Sequence, residues 1–172
     1  SDYFIYNYTP ESYNEYFVLE NIVIRSEVSK KSTAIYIRKS NMWTISNVNI
    51  WNFEYGIKLT DTYYGVFDGY NSIRGCRVAI ITEKGGSAEI NTIDFRNIKI
   101  SPCSIDTVRL IYPLESMDED EWYMKYGRCG IDAYTSFLGA KFEGMTIEGC
   151  DYAMRFNRIP REKIGRASCR ER

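Results

Sequence analysis

The fold is decided by five segments that align without gaps: FVLENIVI (17–24), WTISNVNI (43–50), VFDGYNSI (66–73), IDFRNIKI (93–100) and AKFEGMTI (140–147). Their template is apolar, any, apolar, any, Asn or Gly, apolar, any, Ile, and the final Ile occurs in all five. The third segment departs from the template, because Asp68, Tyr70 and Asn71 stand at positions that are apolar or Asn/Gly elsewhere. Self-similarity of this kind is the signature of a repeat architecture.

A second short motif follows each of these segments. It consists of a small residue, an apolar residue, any residue and usually another apolar residue. The five copies are AIYI (34–37), GIKL (56–59), AIIT (79–82), GIDA (130–133) and AMRF (153–156). Insertions between the motifs fall at two loop positions, and the minimal repeat is 23 residues long.

The two motifs together predict three short strands per repeat, because apolar residues alternate with period 2. A propeller blade needs about 40 residues, and a leucine-rich repeat needs a Leu motif that this chain lacks. We therefore predict an all-β fold, a right-handed parallel β-helix of about five turns in which each strand pairs with its copies at about 4.8 Å. The alternative is an antiparallel sandwich, but sandwiches do not normally repeat one register five times.

This fold predicts columns of equivalent residues along the axis. The final Ile of each first motif forms one column, and the Asn/Gly position forms a second column at a bend. Asn suits the bend because it tolerates the left-handed backbone conformation.

The chain divides into three parts. Residues 1–16 are expected to form a partial preceding turn or a cap. Residues 17–162 form the β-helix, with a long insertion at about 101–129. Residues 163–172 are expected to be a non-native tail, because the last nine, IGRASCRER, resemble a translated sequencing adapter. Since the chain starts at Ser1 without Met or signal peptide, we expect a fragment of a longer protein.

Composition excludes several function classes. The 22 basic and 23 acidic residues nearly cancel, and no basic patch predicts nucleic-acid binding. No apolar run approaches the ~18 residues of a membrane helix. Histidine is absent, which excludes catalysis or metal binding through imidazole. The sequence predicts neither a cofactor nor a metal site.

Three cysteines share one column of the predicted helix, ten residues after the start of the first motif: Cys76, Cys103 and Cys150, with Phe53 in the preceding turn. We interpret them as a stack of buried thiols that pack as small apolar groups. A disulfide is disfavoured because stacked parallel side chains rarely offer the required dihedral angle. Zinc is disfavoured because the chain has no C-x-x-C pair and no His.

The repeat pattern over about 17–160 resembles the pectin-lyase-like β-helix superfamily. In that superfamily, strands of the second-motif type and their flanking loops line an elongated polysaccharide groove. The resemblance implies an outward row with one residue per turn: Tyr36, Lys58, Ile81, Asp132 and Arg155. It also implies a lip of residues two positions before the motif: Glu54, Arg77, Arg128 and Asp151. The alternative is a solvated sheet face whose opposite charges pair weakly between turns.

Two catalytic arrangements stay open at this point. Asp132 and Asp151 lie on adjacent turns, and glycoside hydrolysis needs two carboxyl groups ~5–10 Å apart. Alternatively, Lys58 or Arg155 could neutralise a uronate in a lyase. Neither arrangement is a motif, so it also remains open whether this chain is an enzyme.

The long insertion carries its own candidates. An acidic run at 118–121 precedes Trp122 and Tyr123, which could hold a glycan beside carboxylates. Ile105–Tyr112 alternates like an extra strand. Calcium is disfavoured, since the run lacks the spacing of an EF-hand loop. The alternative is a solvated arm, or one that packs on a neighbouring subunit.

Three functions are considered on this basis; we favour the first, and the second is the main alternative. The first is a glycan-binding and polysaccharide-depolymerising β-helix on a virion tail or cell surface, which resembles bacteriophage tailspikes and tail fibres and implies a homotrimer. Free thiols without a disulfide framework suit a protein that folds in the cytoplasm and acts outside. The second is a secreted or periplasmic, monomeric lyase or hydrolase of the pectin-lyase-like fold. The third is a structural spacer or adhesin rod without catalysis.

Overall fold

The computed structural model describes residues 2–8, 12–26, 32–85, 90–114, 117–135 and 137–156. These residues form a parallel β-solenoid of about five turns with three strands per turn, as predicted. The proposed tail at 163–172 lies outside the described residues, as do 157–162 of the predicted β-helix.

The strands and helices follow one another in this order: β1 Asp2–Asn7, β2 Asn14–Glu15, β3 Val18–Glu20, β4 Val23–Arg25, β5 Ser32–Asn41, β6 Thr44–Ser46, β7 Asn49–Trp51, β8 Tyr55–Asp68, β9 Asn71–Cys76, β10 Val78–Glu83, β11 Ile90–Arg96, β12 Ile98–Pro102, α1 Ile105–Ile111, α2 Glu119–Tyr126, β13 Cys129–Ala133, β14 Phe137–Leu138, β15 Lys141–Glu143, β16 Thr146–Ile147 and β17 Tyr152–Phe156.

The strands build three faces of parallel neighbours. Face A stacks β3, β6, the end of β8, β11 and β15. Face B stacks β4, β7, β9, β12 and β16. Face C, which contains the second motif, stacks β1, β5, β8, β10, β13 and β17. The strand β1 therefore adds a rung to face C ahead of the first complete turn.

The predicted isoleucine column lies on the inner side of face B. Its members pair in sequence from each turn to the next: Ile24, Ile50, Ile73, Ile100 and Ile147. The first four are at most 1% exposed. Burial of one such side chain stabilises the fold by about 1.5–3 kcal/mol, so this column is a principal part of the core.

An aromatic column on face A completes the core. Phe67 stacks on Phe95 with 5.3 Å between ring centroids, and Phe95 stacks on Phe142 at 4.8 Å. Trp43 meets Phe67 edge to face at 5.3 Å. Equivalent positions of successive turns therefore bring aromatic rings into direct contact along the axis.

The gapless alignment of the third segment is wrong by one residue in its first half. Phe67 pairs with Ile45 and Phe95, whereas the alignment had set Asp68 at that inward position. Register is restored at Ile73, which pairs with Ile50 and Ile100. The shift buries an aromatic ring and leaves a carboxylate outside, since an unpaired buried charge is costly.

The extra residue of this turn is Tyr70, which protrudes and is 53% exposed. Asn71 follows it inside the fold and is 2% exposed. Its Oδ1 accepts a hydrogen bond from Val48 N at 3.0 Å, and its Nδ2 donates to Asp68 O at 2.9 Å. These bonds satisfy the buried amide and hold the protrusion in place.

The predicted Asn/Gly column lies at the corner between faces A and B. All five members have φ between 49° and 61°: Asn21, Asn47, Gly69, Asn97 and Gly144. Because this left-handed conformation disfavours most side chains, only Asn and Gly are tolerated well. Gly69 takes this place in the third turn, again as the one-residue shift requires.

The long insertion is helical, which corrects the prediction of an extra strand over Ile105–Tyr112. Ser104 caps α1 by accepting a hydrogen bond from Thr107 N at 3.2 Å, and Asp118 caps α2. The predicted acidic run begins at this cap and occupies the first turn of α2, where carboxylates interact favourably with the helix dipole. A seven-residue apolar pattern by itself fits a helix or a strand, and the capping residues favour the helix.

Candidate functional site

The predicted outward row on face C is continuous. Pairing runs from Tyr36 to Lys58, on to Ile81 and Asp132, and ends at Arg155. Tyr6 of β1 pairs with Tyr36 and extends the row by one rung. The second motif therefore predicted the register of face C correctly.

At the far end of the row, Asp132 and Arg155 form an ion pair. Arg155 Nε donates to Asp132 Oδ1 at 3.0 Å, and Arg155 Nη2 donates to Oδ2 of the same carboxylate. Asp132 is only 2% exposed, and Arg155 Nη1 also donates to Met124 O in α2. Burial alone would lower the pKa of Arg155, but the bonds and charge of Asp132 outweigh it and raise that pKa. This arrangement stabilises both charges.

Asp151 also lies in an ion pair, with Arg128. Its Oδ2 accepts from Arg128 N at 2.8 Å and from Nε at 3.1 Å, and its Oδ1 accepts from Nη2 at 2.8 Å. Burial would raise the pKa of Asp151, but these bonds prevail and lower it. A general acid in glycoside hydrolysis needs a raised pKa. Asp151 is therefore suited to a structural ion pair with Arg128 and not to general acid catalysis.

The lip residues Glu54 and Arg77 are buried beneath the insertion, 3% and 7% exposed. Arg77 Nη2 donates to Glu54 Oε1 at 3.0 Å and to Tyr55 Oη at 2.9 Å. Tyr112, which follows α1, donates its hydroxyl to the same Glu54 oxygen. Burial raises the pKa of Tyr55 to about 12. The hydrogen bond from Tyr112 to Glu54 thus connects the insertion to the body of the solenoid.

Trp122 does not reach the surface. It is 1% exposed, and its Nε1 donates to Tyr112 O at 2.8 Å. Its ring packs edge to face against half-buried Tyr123 at 5.3 Å and lies in one cluster with Cys103. Trp122 therefore builds the core of the insertion and is removed from the expected glycan surface. A lone Trp after an acidic run carries no signal that distinguishes these two roles.

An exposed aromatic surface lies instead at the first rungs of face C. We call it the tyrosine platform, and it consists of Tyr3, Tyr6, Tyr8 and Tyr36. Tyr6 is at its centre, with ring centroids 5.1 Å from Tyr3, 5.6 Å from Tyr8 and 5.0 Å from Tyr36. Tyr6 is 46% exposed and Tyr3 is 37% exposed, whereas Tyr36 is 7% exposed beneath them.

Two cations border the tyrosine platform. The Arg38 guanidinium lies 4.6 Å from the Tyr8 ring centroid, and Lys58 Nζ lies 5.1 Å from that of Tyr36. A side-chain hydrogen bond with Tyr6 raises the pKa of Arg38. Lys58 also pairs with Glu83 at 2.6 Å. Arg38 Nε makes no hydrogen bond within the described ranges.

Sequence reasoning placed Tyr36 and Lys58 in the outward row but missed the first three tyrosines, because residues 1–16 were expected to form a partial preceding turn or a cap and contributed no member of the row. The signal was present in YFIYN (3–7), whose Ile5 pairs with Ile35 of the second motif. That signal is weak, because Phe4 and Asn7 stand where the second motif has a small residue and usually an apolar one, so the motif alone does not place Tyr6 in the row.

All three members of the predicted cysteine column are among the described residues. Cys76, Cys103 and Cys150 are free thiols, as interpreted, and burial raises the pKa of Cys150 to about 11. Among those residues, no group of three or more Cys, Asp and Glu side chains is arranged to hold a metal ion. Their helices are too short to cross a bilayer.

Comparison with protein-family models, with curated proteins and with solved structures found no match. The resemblance to the pectin-lyase-like superfamily is supported at the level of the parallel β-helix architecture.

Proposed function

We propose that this chain binds an acidic polysaccharide on the tyrosine platform, as a glycan-binding β-helix of the kind found in bacteriophage tail appendages. The observation that carries the proposal is the exposed tyrosine stack with Arg38 and Lys58 at its border. Aromatic faces pack against the C–H faces of sugar rings, while phenol hydroxyls bond to sugar hydroxyls. The two cations favour a carboxylate-bearing sugar, because hydrogen bonds between a cation and a carboxylate are stronger than those between neutral groups.

Binding is proposed at the first rungs of the row and not along its whole length. At the other end, Asp132 is buried and paired with Arg155, which also donates a hydrogen bond to Met124 O of α2. We leave depolymerisation out of the proposal, because Asp132 and Asp151 are both engaged in ion pairs.

The test measures binding of uronate oligosaccharides, such as oligogalacturonate, to Tyr6→Ala. We expect at least a tenfold loss of affinity, which corresponds to about 1.4 kcal/mol, because the central ring of the platform is removed. Phe4→Ala is the matched control, since Phe4 lies in the same strand, is 63% exposed and is not part of the platform. Calorimetry at low and high salt measures the affinity, which should fall with salt because the cations contribute.

Equal affinity of Tyr6→Ala and the unsubstituted protein would overturn the proposal. So would equal binding of neutral dextran and uronate oligosaccharide, since the cations would then have no role.

Location on a virion tail or cell surface and assembly as a homotrimer belong to the same proposal. Light scattering tests the assembly: a trimer supports an appendage, whereas a monomer supports a secreted lyase or hydrolase. A structural spacer is favoured by the inter-turn ion pairs of the last turns, and it requires that no uronate oligosaccharide binds.

A further inference from the structure

A cleft of about 540 Å³ lies at the corner between faces A and B, away from the tyrosine platform on face C. We call it the Tyr70 cleft, and its polar and aromatic lining consists of Asp68, Tyr70, Asn97, Lys99 and Thr146. All are exposed except Lys99, which is half-buried. The cleft thus combines an aromatic ring, a carboxylate, an amide and a hydroxyl within one surface.

The cleft depends on the one-residue insertion at Tyr70. Its neighbours Gly69 and Asn71 align with the adjacent turns, so Tyr70 has no partner in them and projects outward. Tyr70 N donates to Asn47 Oδ1 at 3.0 Å, and Asn71 Nδ2 donates to Asp68 O at 2.9 Å. Both ends of the protrusion are therefore held before any ligand binds, which lowers the entropy cost of binding.

At the cleft, glycines interrupt the asparagine column. Asn47 Nδ2 donates to Asn21 Oδ1 of the neighbouring turn at 3.2 Å. Asn97 has Gly69 and Gly144 as its neighbours in the column, and neither glycine has a side-chain amide. A Cβ atom at Gly144 would lie 2.5 Å from Asn97 Oδ1, so glycine is required for the amide to lie there. The Asn97 side-chain amide therefore faces no side-chain amide in the neighbouring turns, unlike that of Asn47, and it lines the cleft.

The charges around the cleft nearly cancel. Asp68 contributes a carboxylate and Lys99 an ammonium group, which also lies 4.0 Å from Glu148. A neutral ligand rich in hydroxyl groups fits this balance better than an acid or a base. The volume lies within the ~300–1,000 Å³ of small-molecule sites, and its open shape admits one unit of a longer chain.

We propose that the Tyr70 cleft binds one neutral pyranose unit of a saccharide. The Tyr70 ring packs against the C–H face of the sugar, and the Asp68 carboxylate accepts from its hydroxyls. The Asn97 amide both donates and accepts, as does the Thr146 hydroxyl. This site is independent of the platform in position and in ligand, because the platform is bordered by cations and is proposed to take an acidic sugar.

The experiment uses methyl pyranosides of glucose, galactose and mannose with the isotope-labelled chain, followed by amide chemical shifts. We expect shifts at 68–70, 97–99 and 144–146 for at least one sugar, with millimolar affinity. Asn97→Gly should reduce that affinity at least fivefold and keep the fold, because glycine already occupies this column in two other turns. Tyr70→Ala should reduce it at least tenfold.

Tyr6→Ala serves as the control, since it alters the platform and should leave pyranoside binding unchanged. The proposal is overturned if no pyranoside shifts the amides of the cleft, or if Asn97→Gly and Tyr70→Ala bind as the unsubstituted chain does. Uronate binding that persists in Tyr70→Ala while pyranoside binding is lost supports both sites. Failure of uronate binding alone removes the platform proposal and leaves the Tyr70 cleft standing.

Discussion

Trp43 and Gly65 demonstrate how side-chain volume is matched between neighbouring turns. A Cβ atom at Gly65 would lie 2.1 Å from Trp43 Cε2 and Cζ2. The indole therefore occupies the space that a side chain at position 65 would need. Interiors are packed as densely as organic crystals, so one large residue requires a small one in the next turn.

The first prediction, at the scale of the residue, concerns the isoleucine column. Ile73→Asp should abolish folding or lower the free energy of unfolding by several kcal/mol, because it buries a charge among Ile50 and Ile100. Ile73→Val is the control and should cost only about 0.5–1.5 kcal/mol. Urea denaturation followed by circular dichroism measures both. An Asp variant with the midpoint of the unsubstituted chain would contradict the inward position of Ile73.

Among the elements, the two-helix insertion depends on a few long-range contacts for its position. Tyr112 connects it to Glu54 in the body of the solenoid, and Tyr112 also stacks on Tyr126 of α2 at 4.3 Å. Helices of seven and eight residues are too short to be stable alone. Their stability therefore comes from packing against each other around Trp122 and from their contacts with the solenoid.

The second prediction tests that contact. Tyr112→Phe should lower the free energy of unfolding by about 1.5–3 kcal/mol, because a hydrogen bond to a buried carboxylate is lost. Amide exchange in α1 and α2 should accelerate more than exchange in β7 or β9. Tyr123→Phe is the control, since Tyr123 lies in the same insertion but outside the Glu54 cluster. Unchanged exchange in α1 and α2 of Tyr112→Phe would mean that Trp122 packing alone holds the insertion.

At the scale of the whole molecule, several ion pairs connect successive turns. Glu54 pairs with Arg77 of the next turn, Arg128 with Asp151, and Asp132 with Arg155. In a solenoid each turn contacts only its neighbours, so stability is approximately a sum of turns and interfaces. These pairs therefore contribute to specific interfaces, and two of them join the last two turns.

The third prediction concerns acid. The pKa of Asp151 is lower in the folded chain than its ordinary value of 3.8. Its contribution to stability is consequently present above that ordinary value and is lost as the pH falls through the folded pKa. Thermal melts between about pH 2 and pH 5 should lose less stability with falling pH in Asp151→Asn than in the unsubstituted chain.

Asp106→Asn, at an exposed aspartate of α1, should retain the acid sensitivity of the unsubstituted chain. Identical pH profiles for Asp151→Asn and the unsubstituted chain would contradict the role of the Arg128–Asp151 pair.

The repeat made most of the fold predictable. Strand positions, the isoleucine column and the outward row from Tyr36 to Arg155 all follow from two short motifs. The two helices of the insertion were not predicted, because the apolar pattern of Ile105–Tyr112 indicated a strand. The extra residue Tyr70 was not found, because an alignment without gaps conceals an insertion that the turn absorbs within a few residues.

The sequence alone determined the parallel β-helix, because alternation and spacing act locally and repeat in every turn. Only the tertiary structure decided which outward residues reach solvent. Trp122 is buried, Asp132 is buried in an ion pair with Arg155, and Tyr6 is exposed at the centre of a stack. Those outcomes depend on contacts between residues far apart in the chain, which side-chain type and spacing do not specify.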